Sequence, residues 1–185
     1  MILMTIENHI PVEIKRITDP GGSARIGAVT YLSEVLSTPD VQIRLRNTER
    51  QYGILLQTCD KLLKQMRSSD GRADATLHWR IADAINNFWR STPKASGAVV
   101  VNLVEALSRD LDISETQLHY LQRFYRAYPH LSDLNSKINW SKYRELMDFP
   151  DDKSRKQCEA LIIKGELRSD GEIRQFKRKI RSTRS

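Results

Sequence analysis

The chain is poor in the residues that build disulfide frameworks, metal clusters and membrane spans. Cys59 and Cys158 are its only cysteines, which argues against a disulfide scaffold and gives no sign of an oxidising compartment. Both lie in helical patterns and read as half-buried apolar fillers. The four histidines (His9, His78, His119, His130) and two cysteines show no metal-ligand spacing. Glycine-rich phosphate loops are missing, as is any Ser/His/Asp set. Two short acid–lysine patterns occur, Glu13-Ile14-Lys15 and Asp151-Asp152-Lys153. The first lacks an upstream aspartate in a strand, and the second reads better as a helix start, where acids are favourable. No catalytic residue, metal or cofactor is expected, and the chain reads as a non-enzyme. No segment approaches the ~20 apolar residues of a membrane span. The opening MILMTIENHI lacks the basic and apolar regions of a secretory signal. The expected location is therefore cytoplasmic, with no membrane partner; Met4 is an alternative start.

What remains is a helix-forming composition. Only eight glycines and six prolines interrupt 185 residues rich in Leu, Ile, Arg, Glu, Asp and Lys, so the expected class is all-α (mainly helical). Residues 1–22 alternate loosely and suit a short strand or an arm, ending at the turn signal Asp19-Pro20-Gly21-Gly22. Ile26, Val29, Tyr31, Leu32, Val35 and Leu36 suggest a first helix over 23–36. Thr38 or Asp40 would then cap a long helix from Val41 to Met66. In it Leu45, Tyr52, Cys59 and Met66 fall seven apart, with Leu55 and Leu62 between them and Thr48 the polar break. Such a seam suits a helical hairpin with 23–36, or a homodimer through residues 23–67.

Ser68-Ser69-Asp70-Gly71 suggests a boundary between a 1–70 region and a 71–185 domain. Beyond it, periodicity gives helices over Ala73–Trp89 and Val99–Leu111, separated by a loop at residues 92–97. Asp112 leads into the helix that organises the domain. It opens on Ser114-x-x-Gln117, a capping box. It sets Leu118, Leu121, Phe124, Tyr125 and Tyr128 on one face and Thr116, His119, Gln122, Arg123 and Arg126 on the other, and it stops before Pro129. Two helices joined by so short a connection describe a helix-turn-helix, although the turn has no glycine. Trp140–Met147 follows, capped by Asn139 or Ser141. Then comes Lys153–Lys164, started by Asp151 or Asp152 and ended by Gly165. Ser169-Asp170-Gly171-Glu172 opens a last helix around Ile173, Phe176 and Ile180.

The formal charge is +7. Residues 131–185 hold 14 basic and 9 acidic residues (+5). Arg174, Lys177, Arg178, Lys179, Arg181 and Arg184 all follow the last acid, Glu172. An excess of this kind suits an anionic partner, or simply a solvated tail.

The ordered blocks at Trp79, Leu107-Ser108-Arg109-Asp110-Leu111, Arg123-Phe124-Tyr125-Arg126-Ala127-Tyr128-Pro129 and Ile138-Asn139-Trp140-Ser141-Lys142-Tyr143 resemble the N-terminal domain of the YhcG-type family of bacterial proteins, over about residues 72–181. The resemblance implies a helical, winged-helix-like domain that precedes a PD-(D/E)XK nuclease domain. Here the nuclease part has no counterpart, so no catalytic residue carries over. The expectation is a non-catalytic DNA-binding module of a bacterial mobile-element, defence or regulatory system. Its contacts would come from Gln117, His119, Gln122, Arg123 and Arg126, from Lys142 and Arg144 with Lys137 nearby, and from Arg174, Lys177, Arg178, Lys179 and Arg181. The alternative is a protein-interaction or assembly subunit that partners a separate nuclease or other effector.

Overall fold

A computed structural model describes residues 10–18, 24–31, 39–68 and 75–182. The fold is mainly helical, as the composition leads one to expect. The order is β1 (Ile10–Thr18), β2 (Ala24–Tyr31), α1 (Pro39–Ser68), α2 (Ala75–Ser96), β3 (Ala98–Val100), α3 (Leu103–Leu111), α4 (Glu115–Ala127), a 3-10 turn (Leu131–Asp133), α5 (Trp140–Leu146), α6 (Asp152–Lys164) and α7 (Asp170–Ser182). The chain forms two compact units, residues 1–61 with 83–118 and residues 62–82 with 119–185. This differs from a split at 70/71. The Ser69–Gly71 turn signal, Thr38 and Leu36 lie outside the described residues.

In the first unit a three-stranded sheet runs in the order β2-β1-β3, with β1 antiparallel to β2 and parallel to β3. Two helical expectations give way to it. Residues 24–31, read as the core of a helix over 23–36, are a strand, so no helical hairpin forms with them. The segment Ala24-Arg25-Ile26-Gly27-Ala28-Val29-Thr30-Tyr31 is rich in β-branched residues and Tyr, holds a helix-weakening glycine, and pairs with β1. Val99 and Val100, expected in the next helix, instead form β3, and the helix starts at Leu103. Asn102 marks the change. Its side chain accepts from Ile14 N–H at 2.9 Å and donates to Ile14 O at 3.1 Å, extending the strand pairing by one step.

The expected loop at residues 92–97 is also helical up to Ser96, with Pro93 inside the helix. Proline in the last turn removes one hydrogen bond, and the turn is closed by other means. Ser96 Oγ donates to Thr92 O at 2.8 Å and accepts from the fully buried Thr48 hydroxyl at 2.9 Å. Gly97 then turns with φ +64°, where an added Cβ would lie 2.6 Å from Arg44 Nη1; the left-handed backbone favours glycine here. Tyr52, Leu55 and Cys59 of the α1 seam are buried, as is the neighbouring Leu56, while Leu45, Leu62 and Met66 are half-buried. Tyr52 donates to Asp110 at 2.9 Å, and Arg109 holds the same carboxylate at 2.8 Å.

The second unit has its own core of Ala75, Phe124, Tyr128, Ile138, Tyr143, Leu146, Phe149, Cys158, Ile162 and Ile173, with Trp79, Trp140 and Phe176 packed against it. Both cysteines are fully buried rather than half-buried. Trp140 stacks on His78 at 3.9 Å and meets Phe124 edge-on at 5.0 Å. The last turn of α4 lacks a glycine cap. Trp79 Nε1 donates to Tyr128 O at 2.8 Å and Arg155 donates to Ala127 O at 2.9 Å, satisfying carbonyls that Pro129 leaves exposed. Tyr128 donates to Glu159 at 2.6 Å, and burial raises the Glu159 carboxyl against that bond and the Arg155 charge.

Candidate nucleic-acid interface

Charge separates with the units. Residues 62–82 and 119–185 contain 20 Lys/Arg and 11 Asp/Glu (+9), whereas residues 1–61 and 83–118 contain 10 and 12 (−2). The candidate surface lies on α4, α5 and α7 of the basic unit.

Helix α4 begins as its sequence dictates. Ser114 N–H donates to Gln117 Oε1 at 3.1 Å and Gln117 N–H donates to Ser114 Oγ at 3.2 Å. Gln117 is thereby committed to the cap, which weakens it as a contact residue. The turn before it is closed by Asp112, the one non-glycine residue with positive φ among those described (φ 53°, ψ 48°). Asp112 thus fills the position where a glycine was missing, since a short polar side chain tolerates the left-handed region. Further along α4, Leu118, Leu121, Phe124 and Tyr128 are buried, Tyr125 is half-buried, and His119, Arg123 and Arg126 are exposed, with Gln122 partly so.

Helix α5 is started by Asn139, whose side chain accepts from Lys142 N–H at 3.0 Å. It buries Tyr143 and Leu146 and thereby turns Arg144, Glu145 and the following Asp148 away from the core. Helix α7 opens on the Ser169/Glu172 box, in which Ser169 N–H donates to Glu172 at 2.8 Å and Glu172 N–H to Ser169 Oγ at 3.2 Å. The N–H groups of Ser169 and Arg168, both donating to the Glu172 carboxylate, hold it below its usual range. Ile173 is fully buried, so the basic C-terminal run forms an anchored helix through Ser182.

The three helices converge on two carboxylates absent from the sequence reading. Arg123 Nη2 meets Asp148 at 2.6 Å and Met147 O at 3.3 Å. Lys177 Nζ lies 3.1 Å from Glu145 and 3.4 Å from Asp148; Arg174 meets Glu145 at 2.8 Å, and Arg181 donates to Asp148 O at 3.1 Å. Four cations thus surround two acids. Burial favours the protonated form of Asp148, but the Arg123 hydrogen bond and the charges of Lys177 and Arg123 outweigh it and hold the carboxyl below its usual range. Beside this group Arg144 lies over the Tyr120 ring at 4.7 Å, with Arg123 5.8 Å from the same centroid.

The structure therefore gathers Arg123, Arg144, Arg174, Lys177 and Arg181. Arg126 and Arg178 are exposed and have no ion-pair partner among the described residues, Lys179 is exposed, and Lys142 is half-buried. Only the Glu145/Asp148 spacing of three, on one helical face, could have hinted at the acids, and nothing local ties them to residue 123 or 177. Among the described residues no group of three or more His, Cys, Asp or Glu is placed to hold a metal ion, and no helix is long and apolar enough to cross a membrane. In comparisons with known protein families, curated proteins and solved structures, none matches this chain.

Proposed function

We propose that the basic unit is a non-catalytic DNA-binding module that engages phosphates through α4, α5 and α7. The carrying observation is the cationic group around Glu145 and Asp148, inside a unit whose charge is +9 while the other unit is −2. Phosphate binding dominates affinity for DNA and needs such an excess on one face. The resemblance to the YhcG-type N-terminal domain supports the same reading and a bacterial mobile-element, defence or regulatory setting, as does the polar outer face of α4.

A gel-shift with unrelated duplex DNA at low and high salt tests it. Wild-type protein should shift the duplex at low salt and release it as salt rises. Arg123→Ala/Arg126→Ala and Arg174→Ala/Arg178→Ala should each weaken the shift, with a log–log salt slope shallower by roughly one per lost phosphate contact. A duplex left unshifted at low salt would end the reading.

A second reading, a protein-interaction or assembly subunit, is favoured by the acidic unit. Trp89, Val99 and Val101 are 48%, 39% and 52% exposed. Trp89 and Val99 also line a cavity of about 190 Å³ with Phe88, Thr92, Pro93 and Val100. Exposed apolar residues grouped beside an edge strand suit a protein partner, including a second copy. Light scattering on wild type and Trp89→Ser separates these cases: a dimer that dissociates on substitution supports self-association.

A further inference from the structure

We propose that the Asp148 carboxylate occupies a phosphate-binding seat formed by Arg123, Lys177 and Arg181, and that nucleic acid binds by displacing it. The proposal rests on the nucleic-acid reading of this surface and says how the surface is regulated. Three cations from two helices converge on this residue: Arg123 on Oδ1, Lys177 on Oδ2 and Arg181 on its carbonyl. Charge-assisted donors that already hold two carboxylate oxygens can hold two phosphate oxygens in their place.

Exposure separates the exchangeable pair from the fixed one. The Asp148 and Arg123 side chains are 41% and 45% exposed. An ion pair so open to water contributes little and exchanges readily. Glu145 and Lys177 are only 18% and 12% exposed, and Glu145 also holds Arg174. That pair fixes Lys177 at the base of the seat. Phe149, buried beside Asp148, anchors the backbone of the turn, while the Asp148 side chain itself stays open to solvent. The carboxyl is held in its ionised form, as a phosphate substitute must be.

In the absence of nucleic acid, Asp148 cancels part of the attraction that Arg123 would exert. It therefore limits affinity for any anionic polymer and reserves tight binding for a ligand whose further contacts repay the exchange. Asp148→Asn keeps the shape, removes the competing charge and should increase affinity.

Fluorescence anisotropy of a labelled short duplex, between about 50 and about 200 mM salt, decides the matter. Asp148→Asn, with Asp148→Ser as a second form, should bind about three- to tenfold tighter than wild type, with a slope steeper by roughly one. Glu166→Gln makes the same change in net charge at an exposed carboxylate that pairs with none of the seat cations and should change affinity less than about twofold, because an unpaired, screened charge contributes little. Arg123→Ala/Asp148→Asn should lose the gain. Thermal melts establish that each variant is folded.

Equal or weaker binding by both folded Asp148 variants overturns the seat. So does a gain that Glu166→Gln matches or that survives without Arg123. If wild type binds duplex while Asp148→Asn gains nothing, only the seat falls. If neither binds at about 50 mM salt, the nucleic-acid reading falls with it.

Discussion

Asp112 carries the left-handed turn between α3 and α4 without the freedom of glycine. A β-branched residue there meets its own carbonyl more severely, so Asp112→Val should lower stability by about 1–2 kcal/mol. Asp112→Gly should be tolerated, and a chemical denaturation midpoint separates the two. Gly165 is the parallel case at φ +78°; Gly165→Ala should cost about 1 kcal/mol although space is open around it. Cys59 and Cys158 are fully buried, and burial pushes both thiols up to about 12. A thiol reagent at neutral pH should leave the native protein unmodified and titrate both cysteines in denaturant.

At the scale of elements, what the sequence made legible was local. Ser114/Gln117, Asn139, Asp151, Gly165 and Ser169/Glu172 each do what their spacing implies, because a cap depends on three or four neighbouring residues. Removing the Asn139 side chain should accordingly cost about 1 kcal/mol, read from denaturant unfolding of Asn139→Ala. A strand within residues 1–22 was legible from its alternation and is β1, but β2 and β3 were hidden because pairing is not local. Ile26, Val29 and Tyr31 satisfy a helical period over so short a span, and only β1 decides for a strand. Three-residue β3 is defined by Ile10–Val12, almost ninety positions earlier. The carboxylates of the basic surface were hidden for the same reason: Arg123, Asp148 and Lys177 meet only after α4, α5 and α7 have packed. Asp148 also links α4 to pH. Its carboxyl titrates below the unfolded value near 4, so its contribution is present above that value and lost as pH falls through the lowered one. Because the pair is so exposed, Asp148→Asn should flatten the acid side of the thermal-midpoint profile only slightly.

For the molecule as a whole, the order of segments matters as much as their contents. Each unit is assembled from two separated stretches, so no single cut in the chain separates the units. A fragment spanning residues 71–185 takes α3 from the other unit's core while leaving behind part of its own. It should show a weaker and broader melt than the intact chain, measured by circular dichroism. Basic charge alone would survive such a cut, which makes the intact protein the right object for salt-dependence measurements.

The parallel pairing of β1 with β3 has a consequence during synthesis. Val12 and Ile14 leave the ribosome some eighty residues ahead of the strand that covers that edge. At about 5–20 residues per second, the nascent chain carries an unfinished apolar edge for several seconds. Only when Val100 has emerged can the β1–β3 pairing close that edge.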